Sequence, residues 1–260
     1  MILALLPIVP LFGVVMSILL IIAIAPVALL LIYIYNRDVI SKEPKSMLLK
    51  AFFGGVLCIL IDLLLILPFQ AIFGDADSWN GALISAFGSA FFEAGIPEEF
   101  SKFLILYFLV WKSKDFDEHF DGIVYATFIS LGFACIENIL YVFQGGAGVG
   151  IMRAFSAVPG HFFFAVIMGY YFSRAKFDVT HRKSNMIKAI IYPMIIHGIY
   201  DMILFLMEKL GATDDDVYNG VIVVLLIFFF YFNFRLWKQG IKRIRELRND
   251  DLAQQPTPQS

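Results

Sequence analysis

The chain has 260 residues, a formal net charge of -2 and four histidines, and 60% of its residues are apolar against 16% charged. That balance carries no nucleic-acid footprint, argues against a soluble domain, and points to a helical membrane protein with 28 Phe among its packing and lipid-facing residues. The two cysteines, Cys58 and Cys135, have no metal-ligand spacing and read as buried small hydrophobes.

With a helix of about 20 apolar residues as the ruler, the chain divides into about seven spans: Gly13 to Tyr35, Met47 to Phe69, Gly88 to Trp111, Gly122 to Phe143, Phe155 to Phe172, Ile187 to Met207 and Val217 to Leu236. The expected fold is therefore an all-α polytopic bundle. Pro7, Pro10 and Pro26 interrupt the first apolar run, which leaves room for an extra half-span before the first helix. That run has no basic segment before it and no small-residue cleavage site after it, so it does not read as a removable signal peptide. Pro97 is expected to break the third span into two helices. Residues 1–248 read as one membrane domain, and residues 249–260 as a polar, disordered tail.

Lys and Arg alternate between loops. Arg37, Lys42, Lys45 and Lys50 follow the first span, Lys112 and Lys114 the third, Arg174 to Lys188 the fifth, and Arg235 to Arg248 the last. The other loops carry only Arg153 and Lys209 beside Asp75, Asp77, Asp214, Asp215 and Asp216. This asymmetry predicts an N-terminus outside and a cytoplasmic C-terminus.

Charges at bilayer depth cost roughly 3 kcal/mol or more, so those inside the spans are functional candidates. Counted at 1.5 Å per residue from the cytoplasmic ends, Glu98, His161 and Asp201 lie about 20 Å deep, Glu137 about 22 Å and His197 about 14 Å. Asp62 falls in the same layer as its weakest member. Glu98 and Glu99 both reach Lys102 at helical spacing, Asp201 reaches His197 and can orient its ring, and Gly198 is expected to leave room for an approaching group. Each has a structural alternative: an ion-pair network, a hydrogen-bonded core histidine, or a Glu137–Asn138 helix clasp.

Paired carboxylates can activate water as a general base while a histidine supports the oxyanion. Glu and His ligands could instead hold a divalent metal such as Zn, with a second Glu as base. A cation-coupled transporter and a non-catalytic scaffold are the other readings.

Four motifs now stand in order: Glu-Glu-x-x-Lys at Glu98, Glu99 and Lys102; Phe-x-x-x-Glu-Asn at Phe133, Glu137 and Asn138; Pro-Gly-His ending at His161; and His-x-x-x-Asp at His197 and Asp201. With the segments from Asp38 to Pro44 and from Asp121 to Tyr125, they resemble the PrsW family of intramembrane proteases over roughly residues 33–205. The wider superfamily includes the type II CAAX prenyl endopeptidases, from which this chain departs at Lys102 and Glu137. The resemblance implies a multi-pass cell-membrane endopeptidase that cuts a membrane-anchored protein of the anti-sigma-factor type. It implies Glu98 and Glu99 as the catalytic pair, with Glu137, His161 and His197 completing the water- or metal-binding set. On this reading His197, oriented by Asp201, partners the oxyanion or leaving group, and Lys102, Asn138 and Glu137 support the site. The outward bias of the polar layer suggests a cut near the outer half of the substrate's membrane segment or just beyond it.

Overall fold

A computed structural model of the chain describes residues 8–213 and 216–254, and all regular structure among them is helical. Pro7, Asp214, Asp215 and residues 255–260 of the polar tail lie outside the described residues. The elements are α1 (Ile8–Arg37), α2 (Lys45–Phe73), α3 (Ala82–Gly88), a π-helical segment (Ser89–Gly95), α4 (Ile96–Val110), α5 (Asp121–Phe155), α6 (Ala157–Phe177), α7 (Arg182–Gly211) and α8 (Asp216–Gln254). Helix α1 begins at Ile8 and carries Pro10 in its first turn, and Pro26 lies inside it without ending it.

Five stretches are long and apolar enough to cross a membrane: Gly13–Arg37, Lys45–Ser78, Asp121–Phe177, Arg182–Gly211 and Asp216–Gln254. The protein is a multi-pass membrane protein. Asp121–Phe177 contains both α5 and α6, which part at Ser156, where the backbone leaves the helical region (φ -120°, ψ -80°). The stretch from α3 to α4, which carries Glu93, Glu98, Glu99 and Lys102, is not among the five.

Helices α5 and α6 form the centre, and α1, α2, α4 and α7 pack around them. Most of the first half of α5 is buried, as are Val158, Phe162, Ala165, Val166 and Phe172 of α6. Lipid-type surface lies outside: Leu29 on α1, Leu64 on α2 and Phe230 on α8 are each more than half exposed. Since lipid is as apolar as these side chains, close backbone packing must hold the helices together. At the α2–α5 crossing a Cβ on Gly132 would sit 2.0 Å from the Phe52 carbonyl oxygen, and one on Gly55 would sit 1.8 Å from that of Ile129. Only glycine fits at either place.

Three local features depart from the sequence expectation. No gap opens at Pro97; the chain widens just before it into the π-helical segment, where the Ile96 N–H bonds to the Phe91 carbonyl five residues back. A proline ring clashes with the carbonyl four residues earlier, and the wider turn relieves that clash without ending the helix. Second, α5 reverses at Gly146, whose φ of 79° belongs to the left-handed region. Third, residues 249–254 of the expected disordered tail continue α8, because Asp251 is anchored by accepting from the His119 and Phe120 N–H groups at 2.7 and 2.8 Å.

Candidate active site

The acidic pair opens α4. Glu98 and Glu99 occupy its first turn, directly after Pro97 and the π-helical segment that leads into it. One turn on, the Lys102 ammonium donates to Glu98 Oε2 at 3.0 Å and Glu99 Oε1 at 2.7 Å. Lys102 is 1% exposed, and its ammonium also lies 4.2 Å from the centre of the Phe133 ring on α5. Phe133 is thereby given a role as apolar floor and π partner for a buried cation.

The histidines come from α6 and α7. Lys102 Nζ donates to His161 Nδ1 at 3.3 Å, while His161 Nε2 donates to Glu137 Oε2 at 2.8 Å. His197 has Glu99 Oε1 3.0 Å from Nδ1 and Asp201 Oδ2 3.1 Å from Nε2. Phe164 stacks on the His197 ring at 4.7 Å, and the Ser130 hydroxyl donates to the His161 carbonyl at 2.9 Å. The rings are thus fixed by packing and by the backbone.

The residues expected in one layer meet, with a different division of labour. One ligand atom each from Glu98, Glu99, His161 and His197 lies within 4.8 Å of the others, and all four residues are buried. Glu137 stands outside that group, on the far side of the His161 ring, and Asp62 does not join it. Asp62 is buried on α2, with Oδ1 lacking a hydrogen-bond partner among the described residues. The space expected beside Gly198 is filled by Phe91, whose ring would come within 2.5 Å of a Cβ there. This contact brings the π-helical segment onto α7 and sets the depth of the Glu pair against His197.

Arg153, which reads as a loop charge in sequence, is an internal partner. It pairs with Glu137 Oε2 at 2.9 Å and donates from Nε to Asn138 Oδ1 at 2.9 Å. On a straight helix those residues would be about 22 Å apart; the reversal at Gly146 folds Arg153 back. Asn138 in turn donates to the Ala23 carbonyl of α1 at 2.7 Å, so the clasp read from Glu137–Asn138 is present as well.

A cavity of about 230 Å³ opens onto this cluster. Glu98, His161, His197, Asp201 and Tyr200 line it, and it continues along α7 to Glu208. Glu99 does not line it and has no exposed surface. The Tyr200 hydroxyl is buried, and it has no hydrogen-bond partner among the described residues.

The charge balance supports a further cation. Among the described residues Glu98, Glu99, Glu137 and Asp201 face only Lys102 and Arg153 as fixed cations, which leaves two negative charges for a divalent cation or for protons to match when both imidazoles are neutral. Glu99 Oε2 is buried without a hydrogen-bond partner among the described residues. Two imidazoles with carboxylates are a donor set that zinc accepts, and outer carboxylates on both histidines are the usual means of orienting such ligands. The residues fit a divalent metal.

Comparison with known proteins identifies the family. A family model described as PrsW family intramembrane metalloprotease matches residues 43–232. The protein named Protease PrsW from Oceanobacillus iheyensis is 40% identical over 182 residues, covering 70% of this chain and 80% of that protein. Its namesake from Geobacillus kaustophilus is 38% identical over 188 residues, covering 72% and 80%. The Bacillus subtilis Protease PrsW is 37% identical over 187 residues, covering 72% and 82%. No solved structure matches. With its polar centre inside the matched region, the chain belongs to the PrsW family of intramembrane metalloproteases.

Proposed function

We propose that Glu98, Glu99, His161 and His197 form the hydrolytic centre of an endopeptidase that cuts membrane-anchored proteins, with Glu99 and the two histidines holding a divalent metal and Glu98 acting as general base. The observation that carries this reading is the convergence of four buried donor atoms, with Glu98, His161 and His197 lining one cavity and Glu99 enclosed behind them. A divalent cation held there would lower the pKa of water and polarise a peptide carbonyl.

The two glutamates divide the work because only Glu98 faces the cavity. Glu98 takes the proton of the attacking water and passes it to the departing amide nitrogen. Glu99, fully enclosed, keeps one oxygen on Lys102 and His197 and has the other free for a cation. Lys102 supplies the positive charge that lets both carboxylates sit at this depth. Glu137 and Asp201 hold the histidines by Nε2, and Arg153 and Asn138 hold Glu137 and α1 in place. Tyr200 takes over the oxyanion role expected of His197, since His197 is committed to the cation and Asp201, and the Tyr200 hydroxyl has no hydrogen-bond partner among the described residues.

Seven crossings are the best account of the bundle in a bilayer, with α3, the π-helical segment and α4 forming one crossing and α5 and α6 one each. The Lys/Arg distribution supports an outer N-terminus and a cytoplasmic C-terminus. The cavity extends from Asp201 to Glu208, about 10 Å along α7. With that orientation it leads water to the outer side, and the scissile bond lies in the outer half of a substrate's membrane segment.

The test is cleavage of a single-span reporter by the purified full chain. Glu98→Gln and Glu99→Gln should each stop cleavage while inserting and accumulating normally. Undiminished cleavage by both variants would overturn the proposal.

A further inference from the structure

On the opposite flank, away from the catalytic cavity, α1 and α8 stand on either side of α6 and leave a groove of about 500 Å³. Its floor is Pro159, Phe162 and Phe163, and its walls are one face of α1 (Leu30, Tyr33, Arg37) and one face of α8 (Trp237, Ile241, Ile244, Arg245, Arg248). The spacing i, i+3, i+7 on α1 and i, i+4, i+7, i+8, i+11 on α8 turns these side chains inward along whole helical faces. The groove is apolar along its length and strongly basic at one end only.

Its dimensions match half a bilayer. From Leu30 to Arg37 is about 10 Å and from Trp237 to Arg248 about 16 Å, against a hydrocarbon half-thickness of about 15 Å. The three arginines are available for a ligand. Among the described residues, none of them is ion-paired to a carboxylate, and the buried Arg248 Nε has no hydrogen-bond partner. Arg37 lies over the Tyr33 ring, with its guanidinium 5.0 Å from the ring centre. Asp38, Glu118 and Asp251 line a small cleft with Arg37 and Arg248; Asp38 and Asp251 accept from the backbone N–H groups of Glu43, His119 and Phe120, and none of the three carboxylates is ion-paired to these arginines among the described residues. Guanidinium groups bind phosphate oxygens in paired hydrogen bonds.

We propose that this groove binds an anionic phospholipid, with an acyl chain along Phe162, Phe163 and Ile241 and the phosphate on Arg37, Arg245 and Arg248. Charge selects the ligand: a zwitterionic headgroup would bring its own cation against three guanidiniums, whereas an anionic one brings none.

The full chain purified in detergent is titrated with dioctanoyl phosphatidylglycerol and with dioctanoyl phosphatidylcholine, following Trp237 fluorescence and the melting temperature. Phosphatidylglycerol should bind at least about tenfold more tightly. The double variant Arg245→Gln/Arg248→Gln should lose that preference while keeping reporter cleavage and its elution volume. Ile241→Trp, which fills the acyl track and leaves the arginines, should weaken both lipids. Equal affinity for the two lipids, a preference that survives the arginine variants, or displacement of the lipid by a second copy or by the reporter's membrane segment would overturn the proposal.

Discussion

His161 and His197 are held in the same way, although they come from different helices. Each turns Nδ1 toward the Glu98–Glu99–Lys102 cluster and has an outer carboxylate at Nε2, Glu137 at 2.8 Å and Asp201 at 3.1 Å. Their rings lie 5.2 Å apart and nearly perpendicular, at 88°. Two imidazoles aimed at one point and braced from behind would meet a cation, in the role proposed for them, with their orientation already set.

The brace gives a first prediction. Asp201→Asn and Glu137→Gln preserve size and remove charge, so the histidines stay in place while losing basicity. Metal affinity measured by competition with a chromogenic chelator should fall by about 10- to 100-fold in each variant. Melting temperature should change little for Asp201→Asn and more for Glu137→Gln, because Glu137 also anchors Arg153. Unchanged metal affinity in both variants would show that the outer carboxylates serve the fold alone.

A second prediction concerns Tyr200. The residue lines the cavity, its buried hydroxyl has no hydrogen-bond partner among the described residues, and its ring packs edge-on against Phe164 at 5.6 Å. Tyr200→Phe keeps the ring and removes the donor. The turnover number of reporter cleavage should fall by roughly a hundredfold with KM nearly unchanged, as for the loss of one oxyanion donor. A rise in KM alone would make Tyr200 a substrate-binding residue instead.

The third prediction lies outside the membrane-spanning segments, where the two loop motifs meet. Glu43 is 5% exposed and accepts a hydrogen bond from the Tyr125 hydroxyl. Burial pushes its carboxyl up to about 7 from an ordinary 4.5, against the lowering effect of Asp121 and Tyr125 and with the help of the Asp38 and Asp117 charges. The folded chain therefore binds this proton more tightly than the unfolded one. The contribution to stability is fully present below pH 4.5 and is lost as pH rises through about 7. The melting temperature in detergent should decline between about pH 5 and pH 8, and Glu43→Gln should flatten that part of the decline. Identical pH profiles for the native chain and the variant would contradict this assignment.

How much was legible in the sequence can be argued residue by residue. Long apolar runs and buried charges at helical spacing reveal the helices and the polar set, because burying Glu98 or His161 without a purpose costs too much. Folding back is harder to read. The Gly-rich stretch after Phe143 looks like a loop, so Arg153 passes for a topogenic charge instead of the partner of Glu137. Depth along a helix also cannot tell which side of an imidazole a carboxylate occupies, and so Glu137 reads as a ligand although it stands behind His161. The π-helical segment is invisible to a period of about 3.6 residues, and Gly198 shows only that something comes close, not that it is Phe91. Tyr200 gave no signal, since a tyrosine in an apolar helix resembles any packing aromatic until its hydroxyl is found unpartnered.

The most direct test of the central assignment is metal content measured by elemental analysis on the purified full chain, alongside cleavage before and after chelation. The native chain should carry about one divalent metal, lose cleavage when it is stripped and regain it on readdition. Glu98→Gln should retain the metal and be inactive, whereas His161→Ala, His197→Ala and Glu99→Ala should lose both. Full cleavage by a metal-free native chain would contradict the account.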